Sequence, residues 1–339
     1  MGHSPSKLFA IPYKKNDKNG VKGNTKNTKT EFRDDKKIDQ IEFDKEPPSL
    51  TFSVLDAHRF IEGRRFRIAK NAAYTFPSDC KEAIRFNESI KLMKRLFDSN
   101  YSAPVEKLLI NGAKVLEIGT SGGFWLTDMS KQYSISTFLG LDASTIFNPE
   151  CLPENCAFLE YNYFDEIPFP EDIFDFVFQQ SISTSKFRGN LFDSHLNEIC
   201  RVVKPGGWIE IFGTTTEIVN AGPATKTFVE SMLKCFHFNG LNPNLVRTFP
   251  SKLKALKVTN IKVVEIPFYL SPDHPISRNK GQELLLATAE SLRVMIKLTV
   301  GYSDEEYDVL IKNIIAETET LNMYTICIRT FGKKSLDIT

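Results

Sequence analysis

The chain has 339 residues, of which 41% are hydrophobic and 25% charged, and its formal net charge is +1. The length suits one large domain or two small ones, and the composition is that of an ordinary globular protein. A charge this close to zero supplies no global field, so neither nucleic acid nor an anionic lipid surface is expected as a partner. No run approaches the roughly 18 apolar residues of a membrane span, so no membrane association is expected. The start of the sequence, MGHSPSKLFAIPYKKNDK, has no apolar core of signal-peptide length. Cys80, Cys151, Cys156, Cys200, Cys235 and Cys327 are scattered. Of these, Cys151 and Cys156 alone lie close together, with no histidine at ligand spacing, so no metal site is expected. Scattered thiols suit a reducing compartment, and the expected location is cytoplasmic, nuclear or both.

In chain order, residues 1–48 form a Lys- and Asn-rich tail with almost nothing to bury, which predicts disorder. Acidic residues interrupt its lysines, so it reads as a solvated tail rather than a nucleic-acid arm. Pro47-Pro48 closes it, and one domain is expected over 49–339, opening with a helical entry segment and ending in lid insertions. In the entry segment Ile84, Ile90, Met93, Leu96 and Phe97 recur at helical spacing, with Ser78 or Asp79 as cap and Glu82 in the first turn. Beyond it, strand-like and helical runs alternate. AKVLEIG, STFLGLD, CAFLEYN, FDFVFQQ and GWIEIFG read as strands; GFWLTDMSKQY and NLFDSHLNEICRVVK read as helices. This alternation predicts an α/β fold of parallel strands with crossover helices. Further on come a strand-like NIKVVEIPFYL, helices near 281–299 and 303–318, and a last strand, MYTICIRTFG.

The first predicted strand runs into a glycine-rich turn and a helix, KVLEIGTSGGFW, where Gly119, Gly122 and Gly123 permit positive φ and close backbone approach. A pyrophosphate cradle would read G-x-G-x-x-G, and the positions here are Gly119, Ser121 and Phe124, a poor match. The pattern E-x-G-x-S-x-G, with Glu117, Gly119, Ser121 and Gly123, instead resembles motif I of the class I S-adenosylmethionine-dependent methyltransferases. In that family the acidic residue lies near the cationic amino-acid end of the cofactor. Asp142 ends the second predicted strand, where a carboxylate can take both hydroxyls of an adenosine ribose. FLEYNYFDEIPFPEDIFDFV resembles the family's third strand and the segment after it. An aspartate there commonly bonds the adenine amino group, and the matching residue here is Asn162, whose amide oxygen can accept the same bond. EICRVVKPGGWIEI resembles the family's turn into the fifth strand.

The resemblance implies a Rossmann-like methyltransferase fold: a seven-stranded, mostly parallel sheet with helices on both faces, strand order 3-2-1-4-5-7-6 and the last strand antiparallel. It implies S-adenosylmethionine as cofactor, held by Tyr74, Glu117, Gly119, Thr120, Ser121, Gly122, Gly123, Asp142, Asn162, Tyr163 and Gln179. The flank EGRRFRIAKNAAYTFPSDCKEAIRF resembles the entry segment of the fungal LaeA-like methyltransferases, through Gly63, Arg64, Tyr74, Pro77, Asp79, Glu82 and Arg85.

Methyl transfer is an in-line displacement in which positioning lowers much of the barrier, while a nitrogen or oxygen acceptor can also need a base. No NPPY-type stretch follows the fourth strand. FQQSIST stands there, and Gln179 or Gln180 is expected to point at the cofactor. His195 reads as packing, and His58 carries no signal. His237, in SMLKCFHFNG, is the weak candidate for a catalytic contact. Aromatic residues of CFHF and PFYL can line an apolar acceptor pocket or simply the core. The expected partner is a small-molecule methyl acceptor, with a protein acceptor or regulatory protein partners as further options. The competing reading is a non-catalytic regulatory or scaffold protein that retains the cofactor fold; Phe124 and the later landmarks disfavour a nicotinamide oxidoreductase.

Overall fold

The computed structural model describes residues 58–68, 75–143, 152–164, 166–180, 191–242, 245–275 and 277–336. The expected tail boundary at residue 48 and Tyr74 lie outside the described residues.

The first described elements form a hairpin, β1 His58–Ile61 and β2 Arg64–Arg67. Glu62 and Gly63 join them with φ of 47° and 72°, the pair of left-handed conformations that a two-residue type I′ turn needs. Residues 58–67 of the expected helical entry segment thus form a hairpin. Helix α1, Cys80–Leu96, follows, and its cap is Asp79, whose carboxylate accepts from the Glu82 amide at 3.0 Å. The buried face of α1 carries Ala83, Phe86, Ile90 and Met93; Ile84, expected on that face, is 64% exposed.

A short α2, Glu106–Ile110, leads into alternating elements: β3 Lys114–Ile118, α3 Phe124–Gln132, β4 Thr137–Asp142, β5 Cys156–Glu160, β6 Phe174–Gln179, α4 Leu191–Val202 and β7 Val203–Thr214. The chain continues through α5 Pro223–Phe238, a 3-10 turn at Leu245–Thr248, α6 Phe249–Ala255, β8 Val258–Tyr269, α7 Asn279–Val300, α8 Asp304–Thr320 and β9 Tyr324–Lys334.

The seven-stranded sheet runs β5-β4-β3-β6-β7-β9-β8. Taken by order within the sheet, this is 3-2-1-4-5-7-6, as expected. β3 to β7 pair in parallel, and β9 is antiparallel to both β7 and β8.

Alternation along the strands sorts side chains to the two faces. Leu116, Ile118 and Val177 pack with Leu196 and Ile199 of α4. On the other face Phe176 and Phe178 meet Trp125 of α3, whose ring stacks on Phe178 at 4.4 Å. Helices thus cover both faces, and the carboxyl ends of β3, β4, β5 and β6 share one edge of the sheet.

Candidate functional site

The turn after β3 is built on left-handed backbone: φ is 79° at Gly119, 49° at Ser121 and 75° at Gly123. Gly123 caps α3 in that conformation, so the turn and the helix start are one unit. A Cβ on Gly119 would stand 3.3 Å from the Gln180 carbonyl oxygen and 3.7 Å from the Tyr163 hydroxyl, so a side chain there would be both tight and, at this φ, strained. Ser121 holds a conformation that costs an L-residue roughly 1–2 kcal/mol. Ser121→Gly should therefore stabilise the protein by about 0.5–1 kcal/mol after allowing for the greater freedom of glycine in the unfolded chain. Thermal melts of the two proteins check this, and an unchanged or lower midpoint would show that the strain is relieved elsewhere.

Asp142, at the end of β4, is 6% exposed. Its Oδ2 accepts from the Ser121 amide at 2.8 Å, and the Gly119 amide donates to the Leu141 carbonyl at 2.8 Å. The expected loop and the expected ribose carboxylate are therefore one clamped assembly.

Glu117 lies fully buried on β3, where Gln180 Nε2 donates to its Oε1 at 2.6 Å. Burial pushes its carboxyl well above the ordinary value of 4.5; the Gln180 bond opposes this and the Asp142 charge adds to it. The Thr120 hydroxyl and Leu126 amide favour the charged form weakly, yet Glu117 Oε2 has no hydrogen-bond partner of good geometry. Gln180 Oε1 and Asn162 Oδ1 are likewise buried acceptors without a donor. A ligand bearing N–H groups would satisfy such atoms, each of which otherwise costs about 1–3 kcal/mol.

The remaining expected site residues divide. Tyr163 is buried beside Gly119, its ring 5.6 Å from that of His195. Thr120 turns inward, its side chain against Gly140 of β4, and so does not face the loop's open side. Gly122 is covered by Asn87 of α1, whose Nδ2 donates to the Gly122 carbonyl at 3.2 Å; a Cβ there would lie 2.3 Å from Asn87 Nδ2.

Gln179 borders the loop with its Nε2, which would stand 3.6 Å from a Cβ on Gly119, while its carbonyl oxygen turns to the α4 side. Its Oε1 accepts from His195 Nε2 at 2.7 Å, because its place in the alternation of β6 puts it on the α4 face. His195 is fully buried, and burial holds its pKa down to about 4, so it is a neutral packing residue. His237 is exposed on α5, whereas its neighbour Phe236 faces inward.

A cavity of about 270 Å³ opens beside the loop. Ser121 and Asp142 line it, as do the apolar Phe86, Phe212, Phe228, Phe236, Phe268 and Leu285. CFHF and PFYL thus each contribute an aromatic ring to its wall. Glu82 and Arg85 of α1 also line it. Both stand in the entry motif, but nothing in the sequence marked them as cavity residues, because the facing helix α7 lies some two hundred positions away. Among the described residues no group of three or more His, Cys, Asp or Glu could hold a metal ion, and no helix is long and apolar enough to cross a membrane.

Residues 116–211 match the family model described as a methyltransferase domain. The methyltransferase str3 of Strobilurus tenacellus is 28% identical over 180 residues, 51% of this chain and 63% of that protein. The N-methyltransferase gliN of Aspergillus fumigatus is 26% identical over 265 residues, 73% of this chain and 92% of that protein. Among solved structures, a putative sarcosine dimethylglycine methyltransferase from Galdieria sulphuraria aligns at 15% identity and a TM-score of 0.42, covering 75% of this chain and 87% of that one. The chain spans less than two thirds of the length of the Strobilurus relative.

Proposed function

We propose that this chain, whose residues 116–211 match the family model of a methyltransferase domain, acts as a whole as an S-adenosylmethionine-dependent methyltransferase on a small, largely apolar acceptor. The observation that carries the reading is the shared wall: Ser121 and Asp142, the expected cofactor contacts, line the same cavity as Phe212, Phe228 and Phe268. Donor and acceptor sites that open into each other are what an in-line displacement requires.

The residues present fit the cofactor. Its adenine amino group and its ammonium are N–H donors, and Asn162 Oδ1, Glu117 Oε2 and Gln180 Oε1 are buried acceptors that lack one. When bound, S-adenosylmethionine supplies an activated methyl group on a sulfonium. Asp142 would hold the ribose hydroxyls while keeping the loop in place through Ser121. Glu117 would stand at the amino-acid end and Asn162 at the adenine. The apolar walls would exclude water and orient the acceptor. The series Gly63, Arg64, Pro77, Asp79, Glu82 and Arg85 supports kinship with the fungal LaeA-like methyltransferases. On this reading the domain runs over 49–339 and works in the cytoplasm or nucleus.

Isothermal titration with S-adenosylmethionine, S-adenosylhomocysteine and NADH tests the cofactor assignment, with binding expected for the first two. Metabolite profiling of a deletion strain should then reveal species that differ by one methyl group. Cofactor binding without any such species would favour a regulatory protein that keeps the fold. Asp142→Ala should weaken S-adenosylmethionine binding by about 1.5–3 kcal/mol, the scale of a hydrogen bond to a charged group. An unchanged affinity would place the ribose elsewhere.

A further inference from the structure

Besides its aromatic rings the cavity carries several serine and threonine hydroxyls, Asp142 beside the glycine loop and, on the α1 wall, a largely buried ion pair. Arg85 Nε donates to Glu82 Oε2 at 2.9 Å and Arg85 Nη2 to Glu82 Oε1 at 2.5 Å. The Ser291 hydroxyl of α7 donates to Glu82 Oε2 at 2.7 Å, and Arg85 Nη1 reaches the Thr288 hydroxyl oxygen at 3.3 Å. Phe76 covers one face of the guanidinium, its ring centroid 5.2 Å from the central carbon. Removing two charges from water is costly, and a structural tie between two helices could be made as well by apolar groups. The pair's geometry suggests a second use.

The two partners are unequally satisfied. The Glu82 carboxylate receives three donors. The guanidinium has five N–H groups, of which three are used, the third in a long contact. With its face under Phe76, what remains is its edge. The pair as a whole is neutral and presents unused donors. Among the described residues lining the cavity, Arg85 is the sole cation.

We infer that Arg85 is the specificity anchor of the acceptor site, and that it selects a neutral, largely apolar molecule with a carbonyl-type oxygen, such as a ketone, ester or amide. This rests on the methyltransferase reading for the word acceptor, but not for the binding itself. A carboxylate is disfavoured, because Glu82 neutralises the guanidinium and would repel a second anion at close range. A pure hydrocarbon is disfavoured, because it would cover the unused N–H groups without satisfying them. Glu82, Ser291 and Thr288 act through Arg85: they fix the fork so that its free edge is presented in one orientation, with less motion to lose on binding. Asp79 contributes one step earlier. It caps α1 and takes a two-bond contact from Arg64, Nε to Oδ2 at 2.6 Å and Nη2 to Oδ1 at 3.0 Å, which fixes the start of the helix that carries the pair.

The test uses the full chain and three probes of similar shape: 2-acetylnaphthalene, 2-naphthoate and 2-isopropylnaphthalene. Each is titrated with and without saturating S-adenosylhomocysteine. Wild type should bind the ketone about tenfold more tightly than the hydrocarbon, the size of one hydrogen bond to a charged donor, and more tightly than the naphthoate. The double variant Glu82→Gln/Arg85→Met removes both charges together and so leaves no unpaired ion; it should lose the preference while melting within a few degrees of wild type. If it unfolds, Arg85→Lys decides, since an ammonium lacks the fork and should narrow the ketone preference about threefold or more. Equal binding of ketone and hydrocarbon, tighter binding of the naphthoate, a preference that survives in the folded variants, or no binding of any probe would each overturn the inference. Failure of S-adenosylhomocysteine to bind, with the probe preference intact, would instead remove the methyltransferase reading and leave the anchor standing.

Discussion

Arg329→Met should lower the unfolding free energy by about 3–5 kcal/mol, the cost of stranding one partner of a buried ion pair. Glu210 on β7 and Arg329 on β9 are both almost wholly inaccessible, and Arg329 Nε stands 3.6 Å from Glu210 Oε1. The pair is embedded in further bonds. Glu210 accepts from the Ser102 amide at 2.9 and 2.7 Å and from the Ala103 amide at 2.7 Å. Arg329 Nη2 donates to the Ser99 carbonyl at 3.0 Å, and the guanidinium lies 4.2 Å from the centroid of the Phe97 ring. β7 and β9 thereby hold the segment that follows α1. Because α1 carries Asn87 against the glycine loop and Arg85 into the cavity, the pair also fixes the wall of the site.

The same pair gives the prediction a sign in pH. Burial raises the Glu210 carboxyl above its ordinary 4.5, and the Arg329 charge and the two amide bonds only partly oppose this. A raised folded-state value means that the folded chain keeps a proton the unfolded chain has released. The group's contribution is then fully present below 4.5 and falls as pH climbs above it. Without Arg329 the value rises further, so the deficit of Arg329→Met should grow between acidic and mildly alkaline melts. Adding Glu210→Gln removes the stranded charge while an amide oxygen still faces Ser102 and Ala103, and much of the loss should return. A deficit under about 1 kcal/mol, the scale of a solvated pair, would mean that the pair is open to water.

The sheet was legible in the sequence because each strand announces itself by a run bounded by turn residues, and the crossover rule then leaves few orders. What single-sequence periodicity missed follows from its own limits. The β1–β2 hairpin is short and arginine-rich, so it lacks the apolar alternation that marks a strand, and its signal reduces to the Glu62-Gly63 turn. Ile84 satisfies a helical spacing, yet the face of α1 is set by Phe86, Ile90 and Met93, which leaves it in solvent.

The two glutamines make the limit concrete. Gln179 and Gln180 sit at one strand end and differ only in parity. Phase counted from the buried Phe176 and Phe178 places Gln180 on the Glu117 side and Gln179 on the His195 side. That parity was available in the sequence; what each face packs against was not. The Glu82–Arg85 wall could not be read at all, since it depends on α7 folding back from far along the chain.

Glu117→Gln should separate what stabilises the fold from what holds the cofactor. Glu117 is fully buried, and burial, countered in part by the Gln180 bond, keeps its carboxyl well above 4.5. Wild-type stability from this group is therefore complete below 4.5 and declines as pH rises through the window above it. A glutamine has no proton to lose, keeps the shape of the acid and can still accept from Gln180. The unliganded variant should be more stable than wild type near neutral pH, by about 1–3 kcal/mol, the penalty of a poorly satisfied buried polar group, and its stability should lose this slope with pH.

The cofactor reading predicts the opposite sign for binding. If Glu117 meets the cationic amino-acid end of S-adenosylmethionine, the carboxylate must be present in the complex, so wild-type affinity should rise with pH as that proton leaves. The variant offers only a neutral acceptor. It should bind about 1.5–3 kcal/mol more weakly above neutral pH and show no such rise. Titrations at several pH values, with melts of the same samples, read both effects at once. Gain of stability together with undiminished cofactor affinity would leave Glu117 a buried acid of the sheet and move the amino-acid end of the cofactor away from β3.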